Sequence, residues 1–166
     1  MTLHDLLKPE LRLFLSVDVQ DSTAFKQQAD SHDSSPWRGY FGAFLRDFPS
    51  ELEAHLNPAA PAPEVWKFLG DEIVFSLLLR KPRDAAEAMR AFCDAVASYE
   101  PDMTKPRQLR LKGSAWVAGF PAGNAIVPAN DGRFDYIGPA MDTGFRLGKM
   151  ATRRKFAVSV ELAWLL

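Results

Sequence analysis

The sequence predicts an α+β fold, an antiparallel sheet with helices on one face, and three observations predict it. Apolar runs of strand length recur at residues 12–19, 64–69, 72–79 and 109–120. Two stretches with apolar residues at helical spacing, 37–48 and 85–96, alternate with those runs. Gly70-Asp71, between the second run and the third, is a turn pair suited to a two-residue hairpin.

In chain order, "RLFLSVDV" (12–19) reads as a largely buried strand. Trp37, Phe41, Phe44, Leu45 and Phe48 mark a helix, which Pro49 is expected to restart as a second piece because proline lacks the donor that continues a helix. "NPAAPAP" (57–63) is a connector that cannot be helical throughout. "EVWKFL" and "EIVFSLLL" form the arms of the hairpin. Ala85, Met89, Phe92 and Val96 form the stripe of a second helix, which ends before Pro101. "LRLKGSAWVAGF" (109–120) alternates as a strand, and residues 121–132 read as a long loop with room for a short strand. "RFDYI" gives another strand, Gly138-Pro139 opens a helix with proline in its first turn, and "KFAVSV" closes with a strand. The order is β-α-β-β-α-β followed by a β-α-β extension, that of a ferredoxin-like core.

With 166 residues, 47% apolar and 25% charged, the chain fits a single globular domain over 1–166. Lysine plus arginine (20) balance aspartate plus glutamate (21), so whole-chain charge draws it neither to nucleic acid nor to anionic membranes. The one cysteine, Cys93, excludes an internal disulfide and fits a reducing compartment as a small buried hydrophobe. No segment approaches the roughly 18 apolar residues of a membrane span, and the N-terminal residues lack a secretory pattern. The expectation is a soluble, cytoplasmic protein.

Two carboxylates draw the chemistry together. Asp18 ends the first strand and Asp71 sits at the hairpin tip, points that can be neighbours in a βαββ unit. Meeting at a sheet edge, they would suit a hard divalent cation such as Mg²⁺ or Mn²⁺. The spacing is equally that of a turn aspartate beside a solvated strand-end aspartate. Ser22 and Thr23 follow at a helix start, where hydroxyls and backbone N–H groups can cradle phosphate oxygens or simply cap the helix. Asp142 and Arg146 stand four apart on one helix, as a surface ion pair or as the two polar walls of a cleft.

Three segments, "LFLSVDVQDST", "KFLGDEIVF" and "DYIGPAMDTGFRL", resemble, in order, the active-site motifs of class III nucleotidyl cyclases. The resemblance implies the class III cyclase fold and a reaction in which a nucleoside triphosphate becomes a 3′,5′-cyclic nucleotide and pyrophosphate. It implies that Asp18 and Asp71, with the backbone carbonyl of Val19, hold two divalent ions, Mn²⁺ or Mg²⁺. Lys67 and Asp135 fall at the base-recognition positions, Asp142 at the ribose position and Arg146 at the transition-state position. In the family the site forms between two catalytic domains, which implies a homodimer with composite sites.

The chain departs from the family at two positions. Asp21 replaces a glycine and Asp142 an asparagine, which adds negative charge. Larger members of the family continue, past the point matching Leu166, into strands bearing a phosphate-binding lysine, and Lys149, Arg153 and Arg154 are the candidates expected to take that role here, against a solvated basic helix end. "SVDVQDST" and "DTGFRLGKMA" are similar to segments of the bacterial pyrimidine cyclases of anti-phage defence, which implies UTP as substrate, cyclic UMP as product and a separate cyclic-nucleotide-binding effector. Lysine and aspartate also suit adenine or cytosine, so adenylate and cytidylate cyclases are the alternatives. A diguanylate cyclase is disfavoured by Leu69, where its signature has a glycine, and by the lack of a place for "GPAMDTGFRL". An inactive nucleotide-sensing module is disfavoured by the retained aspartates and arginine. RNA binding lacks the aromatic and basic strand pattern such sheets need.

Overall fold

The computed structural model describes residues 7–30, 36–99, 109–129 and 132–166. Its elements run β1 (Glu10–Val19), α1 (Ser22–Asp30), α2 (Pro36–Ala54), β2 (Glu64–Leu69), β3 (Glu72–Leu79) and α3 (Pro82–Tyr99). They continue β4 (Leu111–Phe120), β5 (Ala125–Pro128), β6 (Phe134–Ile137), α4 (Pro139–Leu147), β7 (Ala157–Val158) and α5 (Val160–Ala163). The main sheet has the order β2-β3-β1-β4-β7. Its first four strands pair antiparallel in the ferredoxin-like arrangement, and β7 adds parallel to β4. Among the described residues no helix is long and apolar enough to cross a membrane.

Alternation along β1 explains both the core and the site. Leu13, Leu15 and Val17 share one face with Ile73, Phe75 and Leu77 of β3 and with Leu111, Ala115 and Val117 of β4, packed under Phe44, Phe48 and Leu52 of α2 and Phe92 of α3. Phe14 lies on the opposite face with Val74 and Trp116, against Tyr136 and Met141. β1 is thus apolar on both sides, so its core positions read as a continuous run.

Three expectations need correction. First, α2 does not restart at Pro49 but runs through it, because Phe44, Phe48 and Leu52, spaced by one turn each, are all buried on the same side. That burial offsets the roughly 3 kcal/mol that an internal proline costs. Second, "KFAVSV" forms only the two-residue β7, since Ser159 caps α5 by accepting the Leu162 N–H (3.2 Å) and Val160 is already helical. Third, the second sheet face is not bare, for the β5-β6 hairpin and α4 pack over it.

Helix α4 approaches the sheet at Gly144. A Cβ there would fall 2.2 Å from the Trp116 ring. Gly144→Ala is therefore expected to cost about 1–3 kcal/mol, read as a lower thermal midpoint. An unchanged melting curve would contradict this docking of α4.

Candidate functional site

The face of β1 that carries Phe14 continues through Ser16 to Asp18. In the register of the sheet Asp18 stands opposite Glu72 of β3 and opposite Lys112 of β4. Gly70 makes the turn before Glu72 at φ 68°, where a side chain is disfavoured, and Asp71 follows it. The Asp71 carboxylate lies close enough to Asp18 for its charge to act on the Asp18 carboxyl. The spacing therefore resolves in favour of juxtaposition.

Burial pushes the Asp18 carboxyl above its ordinary value, and the Asp71 charge adds to the rise while Lys112 opposes it. Glu72 is pushed up for the same first reason, burial, with the Asp18 and Asp71 charges adding to the rise, and it accepts a 2.5 Å hydrogen bond from the Ser16 hydroxyl. Two ammonium groups complete the cluster: Lys112 Nζ lies 3.0 Å from Asp18 Oδ2, and Lys26 Nζ lies 3.0 Å from Asp71 Oδ1. Sequence reasoning missed both lysines. The parity of Lys112 with Ser114 and Trp116, which shows only once β4 is placed in register, was the available signal.

Among the described residues no group of three Asp, Glu, His or Cys side chains is arranged to hold a metal ion. The pair itself fits one chemically. Asp18 and Asp71 offer only hard carboxylate oxygens, and their crowding is what a divalent cation would relieve. Val19 closes β1 beside them with its side chain buried.

Between β1 and α1 the chain turns at Asp21, whose φ is 58°. A non-glycine residue is strained there, although aspartate tolerates it better than most. Asp21→Gly is expected to stabilise the fold by about 1 kcal/mol, read by denaturant titration. A loss of stability would show that the contact between Gln20 Nε2 and Asp21 Oδ2 (3.3 Å) matters more than the strain. Ser22 and Thr23 are the first residues of α1, Ser22 half-buried and Thr23 exposed. The backbone N–H of Arg153 donates to Gln20 Oε1 (2.9 Å), which ties the turn bearing Arg153 and Arg154 to this segment. Lys149 and Arg154 are exposed.

A second group forms where β2 meets the β5-β6 hairpin. Strict alternation would place Lys67 with Val65 on the helix-covered face, because Val65 pairs with Phe75. A register shift between Val65 and Lys67 makes Trp66 the extra residue and sets Lys67 opposite Val74, on the face of Asp18. Lys67 Nζ then reaches Asp135 Oδ1 at 2.6 Å and lies 4.0 Å above the Trp66 ring. Trp66 donates from Nε1 to the Phe134 carbonyl (3.0 Å) and packs edge-on against Tyr136 at 5.1 Å. Both aromatic rings also touch Phe14, so they belong to the core and underlie the Lys67–Asp135 pair at once.

Asp142 and Arg146 project from α4 as exposed side chains, and among the described residues no ion pair joins them. The ion-pair reading of their spacing is thereby set aside. Gly138 starts α4 at φ 137°, where a Cβ would fall 2.4 Å from Asn124 Oδ1. That oxygen accepts the Ala140 N–H (3.1 Å), while Asn124 Nδ2 donates to the Gly119 carbonyl (2.9 Å), so one side chain fastens the helix start to the end of β4.

The same architecture occurs in solved nucleotide cyclase domains. The adenylyl cyclase CyaB from P. aeruginosa superposes with a TM-score of 0.71 at 13% identity, covering 95% of this chain and 81% of that one. The guanylate cyclase domain of RhGC from Catenaria anguillulae, solved with GTP, gives 0.71 at 9%, covering 95% and 83%. The guanylyl cyclase domain of the RhoGC fusion protein from Blastocladiella emersonii gives 0.72 at 10%, covering 95% and 84%. At these identities the likeness is one of fold. No protein-family model matches the chain, and no curated protein does.

Proposed function

We propose that this chain is a single nucleotidyl cyclase catalytic domain that converts a nucleoside triphosphate to a 3′,5′-cyclic nucleotide and pyrophosphate. The observation that carries the reading is the placement of the Asp18–Asp71 carboxylate pair and the Lys67–Asp135 pair on the same face of a cyclase-like sheet. Asp18 and Asp71 would hold two divalent ions, which supply activation of the ribose 3′-hydroxyl and charge compensation for the triphosphate. The 3′-oxygen attacks the α-phosphorus as its proton passes to solvent, and the bond from the α-phosphorus to the bridging oxygen breaks with that electron pair leaving on pyrophosphate, without a protein nucleophile. Ser22, Thr23 and the first N–H groups of α1 donate to phosphate oxygens. Arg146 offsets charge developing around the phosphorus, and Asp142 accepts from a ribose hydroxyl.

Lys67 and Asp135 read the base as donor and acceptor. They occupy one protomer together with Asp142 and Arg146, and by the family's arrangement they complete the site of a second copy that brings Asp18 and Asp71. UTP is the substrate we assign, with cyclic UMP acting on a separate effector in anti-phage defence. Its support is the likeness of "SVDVQDST" and "DTGFRLGKMA" to pyrimidine cyclases, together with the filling of the space behind the Lys67–Asp135 pair by Trp66 and Tyr136. A purine, one ring longer, needs a deeper pocket. The second reading is an adenylate cyclase, favoured by a lysine–aspartate pair that also matches adenine.

The test is to give the purified protein all four ribonucleoside triphosphates with Mn²⁺ and identify cyclic products by mass. Cyclic UMP is expected to predominate, and Lys67→Ala to weaken UTP use about tenfold by leaving the base edge unpaired. Predominant cyclic AMP would replace the uridylate reading with the adenylate one. No cyclic product from any of the four would sink both.

A further inference from the structure

The two lysines at the carboxylate pair have no part in the site as derived so far, and their geometry gives them one. Lys26 roots on α1 one turn after Ser22, so it shares the helix face that starts at the phosphate-facing hydroxyl. Its ammonium sits 3.0 Å from Asp71 and 4.7 Å from the centre of the Phe41 ring, with Trp37 at 5.9 Å. Lys112 roots in β4 directly opposite Asp18, 3.0 Å from its carboxylate, with the Gly148 carbonyl 3.5 Å away on the other side. Their side chains are 31% and 23% exposed, so their heads are held in place yet open to a ligand.

Two ammonium groups thus stand against the two carboxylates of the pair, with Glu72, held by Ser16, a third acid beside them. A divalent cation seated between Asp18 and Asp71 would meet both ammonium groups at close range and displace them from the carboxylates. The displaced ammoniums remain anchored at the rim, Lys26 against an aromatic wall and Lys112 on a central strand. They need an anion there, and the polyphosphate of an incoming nucleotide is the anion the reaction brings. We infer that Lys26 and Lys112 are resident counter-ions of the metal carboxylates that transfer to the polyphosphate when metal and nucleotide bind, supplying the phosphate contact for which Lys149, Arg153 and Arg154 were the candidates by sequence. This deepens the cyclase reading and rests on it for the identity of the natural ligand.

Binding measurements on the full chain separate this role from a structural one. Mn²⁺ alone is titrated by electron paramagnetic resonance, and inorganic pyrophosphate is titrated at saturating Mn²⁺ by calorimetry, for wild type, Lys26→Gln, Lys112→Gln and the two arginine variants. Each glutamine variant is expected to bind Mn²⁺ several-fold more tightly, since a competing cation is gone, and pyrophosphate about tenfold more weakly, since a charged donor is gone. Lys26→Arg and Lys112→Arg, which keep the charge and the fold, should hold pyrophosphate within a few-fold of wild type. A purely structural ion pair would not move the two affinities in opposite directions. Pyrophosphate binding unchanged in both glutamine variants, or Mn²⁺ binding weakened in both, overturns the inference. Lysine-dependent pyrophosphate binding by a protein that makes no cyclic nucleotide would sink the cyclase reading alone. Cyclic product with lysine-independent pyrophosphate binding would sink this inference alone.

Discussion

Replacing Asp18 by Asn, or Asp71 by Ala, is expected to lower cyclic-nucleotide turnover by about a thousandfold or more while leaving the protein folded. Each substitution removes one of the two carboxylates that face each other at the end of the sheet. Losing a ligand of a metal pair withdraws several kcal/mol of transition-state stabilisation, which is the scale of that rate loss. Stability should move the other way for Asp18. Because burial holds its carboxyl above the ordinary 3.8, the proton is bound more tightly in the folded chain than in the unfolded one. The resulting stabilisation is complete in acid below 3.8 and is lost as pH rises through the raised value, so ionised Asp18 costs the metal-free fold at neutral pH. Asp18→Asn without metal should therefore melt at or above the wild-type temperature at neutral pH and lose its metal-induced stabilisation. Full turnover in either variant, measured with saturating Mn²⁺, would refute the assignment of the pair.

Arg146→Ala is expected to have an effect of similar size for a different reason. The guanidinium is exposed on α4 and, among the described residues, engaged by no ion pair, so removing it opens no cavity and strands no buried partner there. Its loss should appear in kcat far more than in KM, because charge on the equatorial oxygens grows only toward the transition state. A guanidinium in that role contributes about 10³-fold or more in phosphoryl transfer. Arg146→Lys should recover only part, since an ammonium lacks the planar fork. A variant with a raised KM and unchanged kcat would make Arg146 a binding residue only.

The elements were legible where local pattern and tertiary fate agree. The hairpin arms "EVWKFL" and "EIVFSLLL" coincide with β2 and β3, because their length and their Gly-Asp turn leave no competing structure. Pro139 at the start of α4 was legible for the same reason. Pro49 misled because three buried side chains of α2 outweigh one lost hydrogen bond, a balance no local rule contains. At the site, a βαββ order allowed Asp18 and Asp71 to be neighbours but left a turn aspartate beside a solvated strand-end aspartate equally open. The aim of Lys67 was not legible, since it depends on one extra residue at Trp66 that leaves no mark in an apolar run. Lys26 was hidden for another reason: its head reaches a residue 45 positions away, and only the folded chain brings them together.

The most direct test of a cyclase site completed by two copies of this chain is activity in mixtures of two dead variants. Asp71→Ala retains the half that carries Lys67, Asp135, Asp142 and Arg146, and Arg146→Ala retains the half that carries Asp18 and Asp71. Each alone should be inactive. Mixed at equal concentration under conditions where subunits exchange, they should form heterodimers with one intact site, restoring about a quarter of wild-type cyclic-nucleotide formation, since half the dimers are mixed and each has one of two sites. If labelled subunits demonstrably exchange and activity stays at the level of the separate variants, the composite site is wrong.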